Sequence, residues 1–241
     1  MEDKDKSLTE HLEELRAVII RCLIAAGVVL PFAFWASSPA LDWFIGRMLA
    51  GTGAQLNYFS PVEVFLVQIK ATAVIDLAIS FPFIAVNIWR FVLPALYEHE
   101  AKAARKIAAG SGFLFVLGIA FCITVVLPFI IRFGVSFSTD IIKPVFGISE
   151  VVGLGFWLSS AFGIMFQLPI VAIALVRSGI ISKEAISSKR PYVIVVLLIA
   201  AAVITPPDII SQLMVFIPSY LLFAGKGPAK KKKEDEGEER G

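Results

Sequence analysis

Apolar residues along this chain fall into six runs separated by short charged or proline-rich stretches. A helix crossing a hydrocarbon layer of about 30 Å needs about 20 such residues at a rise of about 1.5 Å each. Residues 17–36, 64–89, 107–131 and 151–176 meet that length, and the last two runs hold no charged side chain. Residues 192–204 and 209–224 are shorter, and Thr205-Pro206-Pro207-Asp208 divides them. Two consecutive prolines withhold two backbone donors and forbid one straight helix through the join. Ahead of the first run, Ser7-Leu8-Thr9-Glu10 has capping-box spacing, and Leu8, Leu12, Leu15 and Ile19 recur at helical intervals. The expected architecture is all-α and polytopic. An amphipathic segment spans residues 1–16, six transmembrane helices with a short final pair span 17–224, and a charged, disordered tail spans 225–241.

Composition sharpens the membrane reading. Of 241 residues, 57% are hydrophobic and 17% charged, and mean hydropathy is +0.81, whereas a soluble domain is about a quarter charged. Soluble globular and disordered classes are thereby excluded. A net charge of +2 leaves no basic field for nucleic acid. The distribution of basic residues sets orientation. Lys4, Lys6 and Arg16 precede or open the first run, Arg90, Lys102, Arg105 and Lys106 follow the second, and Arg177, Lys183, Lys189 and Arg190 follow the fourth. The alternate loops are poorer, with Arg47 in one and Arg132 and Lys143 in the other. The tail holds Lys226, Lys230, Lys231, Lys232, Lys233 and Arg240 and belongs with the rich side. Basic loops stay in the cytoplasm, so both termini are expected there and the number of crossings is even. The short final hairpin then requires snorkelling ends or a thinned bilayer. Acidic residues outnumber basic ones within 1–16, opposite in sign to a cleaved leader, so the first run is expected to be retained.

Candidate chemistry is sparse. There is no HExxH or GxSxG, and the two histidines, His11 and His99, lie at the expected cytoplasmic edge. Ser80, Ser159 and Ser160 have no histidine at their depth, so no catalytic centre, metal or cofactor is expected. Cys22 and Cys122 sit in apolar runs and are expected as buried thiols. Lys70, two turns after Glu63, is expected to snorkel toward that carboxylate. Gln68, Thr72, Asp76, Ser80 and Asn87 share one slowly drifting stripe of the second helix. Asp76 lies near mid-membrane and must face protein, water or a cation rather than lipid, or else be protonated. The stripe reads equally as interhelical hydrogen bonding and as a polar groove. At the cytoplasmic rim, Glu10, Glu13 and Glu14 share the polar face of the first helix. Arg16 has Glu13 three residues before it, while Val18 stands four after Glu14. From residue types alone, this rim reads as a solvated helix end ahead of a ligand site.

Five motifs in order change that reading. They are His11-Leu12-Glu13-Glu14-Leu15-Arg16, Ser60-Pro61-Val62-Glu63-Val64-Phe65, the stretch from Phe91 through Pro94 to Glu100, Lys189-Arg190-Pro191-Tyr192, and Thr205-Pro206-Pro207-Asp208. Together they make the chain, from about residue 8 to about residue 223, resemble the TatC family of twin-arginine protein translocases. The resemblance implies a multi-pass protein of the cell inner membrane that recognises twin-arginine signal peptides on folded cargo. It further implies assembly with single-span Tat subunits of TatA or TatB type, self-association in a larger complex, and use of the proton-motive force. Carried over position by position, Glu14, Arg16, Phe91, Pro94 and Glu100 fall in signal-recognition motifs, and Asp208 in the outer hairpin motif. Paired guanidiniums suit carboxylates that accept bidentate bonds, a fork that lysine does not reproduce. For Asp208, a helix N-cap after Pro-Pro is an equally good reading.

Three positions depart from the family pattern: Gln167 where many relatives have glutamate, Val18 where a basic residue is frequent, and Ala224 where the last helix often ends in glutamate. Gln167 cannot ionise, which leaves hydrogen bonding, for instance to the Met165 carbonyl freed by Pro169. From another class, a secondary transporter with Asp76, Lys70 and Gln167 around a midplane site is the chief rival. An intramembrane protease is third.

Overall fold

The computed structural model describes residues 8–92, 101–139, 141, 144–177, 194–195, 198–199, 201–202, 212–213, 216–218 and 220–221. Helix α1 (Leu8–Leu49) carries the N-terminal amphipathic stretch into the first apolar run without a break and continues well past it. Pro31 and Pro39 lie inside it. The described side chains buried along α1 are Ala33, Ser37 and Met48, while Leu23, Val28, Phe32 and Trp35 lie open, Trp35 at 79%. In water such a face would be untenable; against acyl chains it is already solvated. After a short strand, β1 (Gln55–Asn57), the chain returns as α2 (Pro61–Val92), which packs along α1.

The third crossing is built from α3 (Ala101–Phe121), a π-helical turn (Cys122–Val126) and α4 (Leu127–Val135). The wide turn has a local cause. Pro128 has no N–H to return to the carbonyl of Thr124, and the Leu127 N–H reaches back five residues to the Cys122 carbonyl. A second strand, β2 (Val145–Gly147), pairs in parallel with β1, Gln55 opposite Val145 and Asn57 opposite Gly147. Hydrophobic periodicity gives no hint of this pair. The fourth crossing is α5 (Ile148–Met165) followed by α6 (Leu168–Arg177). Among the described residues, four helical segments are long and apolar enough to cross a membrane: Leu12–Leu49, Pro61–Val92, Ile107–Val135 and Ile148–Leu175. The first two extend past both ends of their runs, the third past its C-terminal end only, and the fourth starts three residues early and stops one residue short. The described residues of the last two runs are helical, and the Gln212 side-chain amide donates to the Leu198 carbonyl at 3.0 Å.

The core lies where α2, α3 and α5 meet. Phe115, Cys122, Val126, Leu127, Leu158 and Phe162 are essentially inaccessible there. Glycines set the approach. A methyl group on Gly118 would stand 2.7 Å from the Phe162 carbonyl oxygen, one on Gly163 would stand 2.6 Å from the Phe115 ring, and one on Gly112 would stand 2.9 Å from Pro82. Within lipid, where apolar burial contributes little to helix association, such backbone contact supplies the packing attraction. Phe115 then stacks on Phe81 of α2 with ring centroids 3.6 Å apart. Cys122 is buried as expected; Cys22, on the open face of α1, is only half-buried, and both are free thiols.

Candidate functional site

At one end of the bundle the start of α1 and the end of α2 come together, because the two helices run antiparallel and in contact. Glu10, Glu13, Glu14 and Arg16 are all exposed on the first turns of α1, so their charges are held at the bundle rim by a helix rather than by a loop. Phe91, in the last turn of α2, is half-buried, between the exposed Arg90 and the half-buried Val92. Glu14 and Phe91 each have an interaction partner. The structure therefore brings Glu14, Arg16 and Phe91 to the same end. Pro94, Glu100 and Asp208 lie outside the described residues.

The opposite end contains a junction that the sequence shows only in part. The Glu63 carboxylate accepts the Phe59 N–H at 2.8 Å and the Ser149 N–H at 3.1 Å, so α2 caps the first turn of α5 with a charge suited to a helix N-terminus. Lys70 does not simply snorkel toward Glu63. Its ammonium donates to the Ser149 hydroxyl at 3.0 Å and the Ser149 carbonyl at 3.4 Å, so acid and base meet on the same residue of α5. Gly153, one turn further along, leaves the room: a methyl there would stand 3.3 Å from the Lys70 nitrogen. Sequence spacing gives no signal for Ser149, whose partners lie 86 and 79 residues away.

Gln167 is held just as firmly, though not through Met165. Ser111 of α3 donates its hydroxyl to the Gln167 amide oxygen, and the amide nitrogen donates to the carbonyls of Ser111 at 3.2 Å and Gly163 at 3.4 Å. The backbone explains the choice. Where Pro169 breaks the ladder between α5 and α6, the Gln167 N–H turns to Ile164 at 2.9 Å, and its own side chain takes up Gly163. Ser149 and Gln167 are 18 residues apart along α5 and its kink, about 27 Å at helical rise. Lys70 and Gln167 are thus bonded at positions about 27 Å apart along the fourth crossing and do not converge on one midplane site.

The stripe on α2 is half internal bookkeeping of its own helix. Thr72 and Asn87 are buried and donate to the carbonyls of Gln68 at 2.8 Å and Phe83 at 2.9 Å, four residues back. These bonds are intrahelical, not the interhelical ones the spacing suggested. Asp76 is half-buried, and its Oδ1, like the Ser80 hydroxyl, is enclosed without a hydrogen-bond partner among the described residues. Asp76 is accordingly turned away from open lipid on at least one side.

Long apolar crossings, an open apolar face on α1 and a Gln167 amide hydrogen-bonded inside the bundle define a multi-pass helical membrane protein. The family model for the Sec-independent protein translocase protein (TatC) matches residues 10–218. The TatC of Haemophilus influenzae is 32% identical over 237 residues, covering 92% of this chain and 87% of that protein. The TatC of Aquifex aeolicus is 34% identical over 235 residues, covering 94% and 98%. A crystal structure of the twin-arginine translocase receptor TatC in the detergent DDM superposes with a TM-score of 0.80 at 32% identity, covering 89% of this chain and 96% of that one. The chain belongs to the TatC family of Sec-independent protein translocases.

Proposed function

We propose that this protein is the signal-recognising core subunit of a twin-arginine translocase in the cytoplasmic membrane. It binds consecutive arginines of a signal peptide at the α1–α2 rim and moves folded cargo with single-span Tat subunits, driven by the proton-motive force and without a catalytic centre. The family match over residues 10–218, which takes in every rim motif, carries this reading. The exposed carboxylates of Glu13 and Glu14 on a helical support add its chemistry, since guanidinium recognition needs acceptors fixed in direction. Arg16, Phe91, Pro94 and Glu100 complete the recognition surface, and Asp208 belongs to the outer hairpin.

In this reading the chain crosses six times, with both termini in the cytoplasm. The Gln212 to Leu198 bond supports it: on one continuous helix these residues, 14 apart, would be separated by about 21 Å along the axis. A bond between them fits two short helices side by side. The rival solute-transport reading is disfavoured, because Lys70 and Gln167 are bonded at places about 27 Å apart along the fourth crossing. Expression in cells lacking their own TatC tests the proposal. Restored export of a folded twin-arginine reporter, together with co-purification of a single-span Tat subunit, is expected. Stable membrane insertion without either would refute it.

A further inference from the structure

Arg47, two residues before the end of α1, and Arg132, three before the end of α4, line one open cleft of about 310 Å³ with Thr124, Val125, Pro128 and Phe129. They lie at the end of the bundle where β1 follows α1, the outer end in the topology above. The basic residues assigned to the outer loops are Arg47, Arg132 and Lys143. Two of these three therefore share a cleft. Among the described residues no carboxylate lines it, so two guanidiniums stand beside an apolar wall. Val125 and Phe129 are exposed, and Thr124 and Val125 belong to the π-helical turn, a backbone feature that often marks functional sites.

From this geometry we infer that the cleft binds an anionic phospholipid of the outer leaflet, its phosphodiester held between Arg47 and Arg132 and an acyl chain laid along Val125, Pro128 and Phe129. Depth agrees with that assignment. The third crossing has 29 residues, about 43 Å against a hydrocarbon layer of about 30 Å. Its ends therefore project about 6 Å into each headgroup zone, which is where Arg132 stands. The chemistry agrees as well, because arginine is permanently charged and its planar fork matches two phosphate oxygens. A soluble anion would use the two arginines and leave the apolar wall without a role.

Native mass spectrometry of the full chain in neutral detergent, titrated with phosphatidylglycerol, tests the inference. A tightly held adduct is expected for the wild type. The double variant Arg47→Gln, Arg132→Gln should hold it at least about tenfold more weakly, as expected on losing both charge-assisted contacts. Arg90→Gln at the far end should leave the outer adduct unchanged, and excess inorganic phosphate should not displace it. Equal melting temperatures for all three proteins would show that folding is not the cause. Equal lipid retention in the wild type and the double variant would overturn the inference. So would displacement by inorganic phosphate, which would mean a soluble-anion site. A double variant that keeps the lipid and loses a single-span subunit would assign the arginines to a protein carboxylate and would overturn it too.

Discussion

Gln167 uses its whole amide: one acceptor and two donors, all engaged within the bundle. A glutamate here would keep the acceptor that Ser111 requires, but would offer one donor when protonated and none when ionised. Ionised, it would also turn a negative charge toward the carbonyls of Ser111 and Gly163. We therefore expect Gln167→Glu to destabilise this chain by about 1–3 kcal/mol, the range for leaving buried polar groups unsatisfied. Thermal unfolding in detergent checks it, with Gln167→Asn as a shorter neutral comparison. Unchanged stability on introducing the glutamate would mean that water or a neighbouring donor replaces the amide. The partner, Ser111, was not legible beforehand. Spacing says which residues share a helix face, not which helix that face meets, and Ser111 sits in a Gly110-Ser111-Gly112 stretch whose only sequence signal is small size.

Among the elements, α3 depends most on the absence of side chains. Gly118→Ala must push a methyl to 2.7 Å from the Phe162 carbonyl, a rigid backbone atom, and cannot do so without separating α3 from α5. A loss of about 1–3 kcal/mol is expected, typical of overpacking. Gly27→Ala on the open face of α1 meets no heavy atom within 4 Å and should be neutral, or stabilising by up to about 1 kcal/mol through helix propensity. Melting temperatures of the two variants provide the measurement. Comparable losses at both sites would show that helix propensity rather than interhelical approach sets the tolerance. Run length located all four long helices, yet misjudged their ends. A helix need not stop at the hydrocarbon edge, and α1 passes Asp42 and Arg47 because its backbone bonds continue into the interface. The β1–β2 pair escaped notice for a different reason: three-residue strands carry no measurable period, and their pairing is set by where the helices place the loops.

For the whole molecule, orientation was read from charge, and an even number of crossings puts the tail and the N-terminus on one side. A cysteine introduced after Gly225 should react only with a reagent that enters the cytoplasm, and one near Ser138 with an impermeant reagent added outside. Outside labelling of the tail would mean that the last two runs form one crossing, against the Gln212 to Leu198 bond. The rim was legible in part. The family motifs point to Glu14, Arg16 and Phe91, and the fold brings these three to one end; no spacing rule could have shown that α1 and α2 lie side by side to do so.

The central claim is that the rim recognises arginine by fixed carboxylates rather than by general negative charge. Binding of a twin-arginine peptide and its twin-lysine counterpart to detergent-solubilised protein, at two salt concentrations, tests it most directly. Glu14→Ala and Glu100→Ala should each weaken the arginine peptide by about 1–3 kcal/mol, as charge-assisted bonds do. The lysine peptide should bind poorly throughout, and Glu2→Ala and Glu234→Ala should change little, since exposed charges outside the motifs are screened. Equal losses for all four substitutions, with high salt erasing the preference for arginine over lysine, would contradict the account and reduce the rim to an electrostatic funnel.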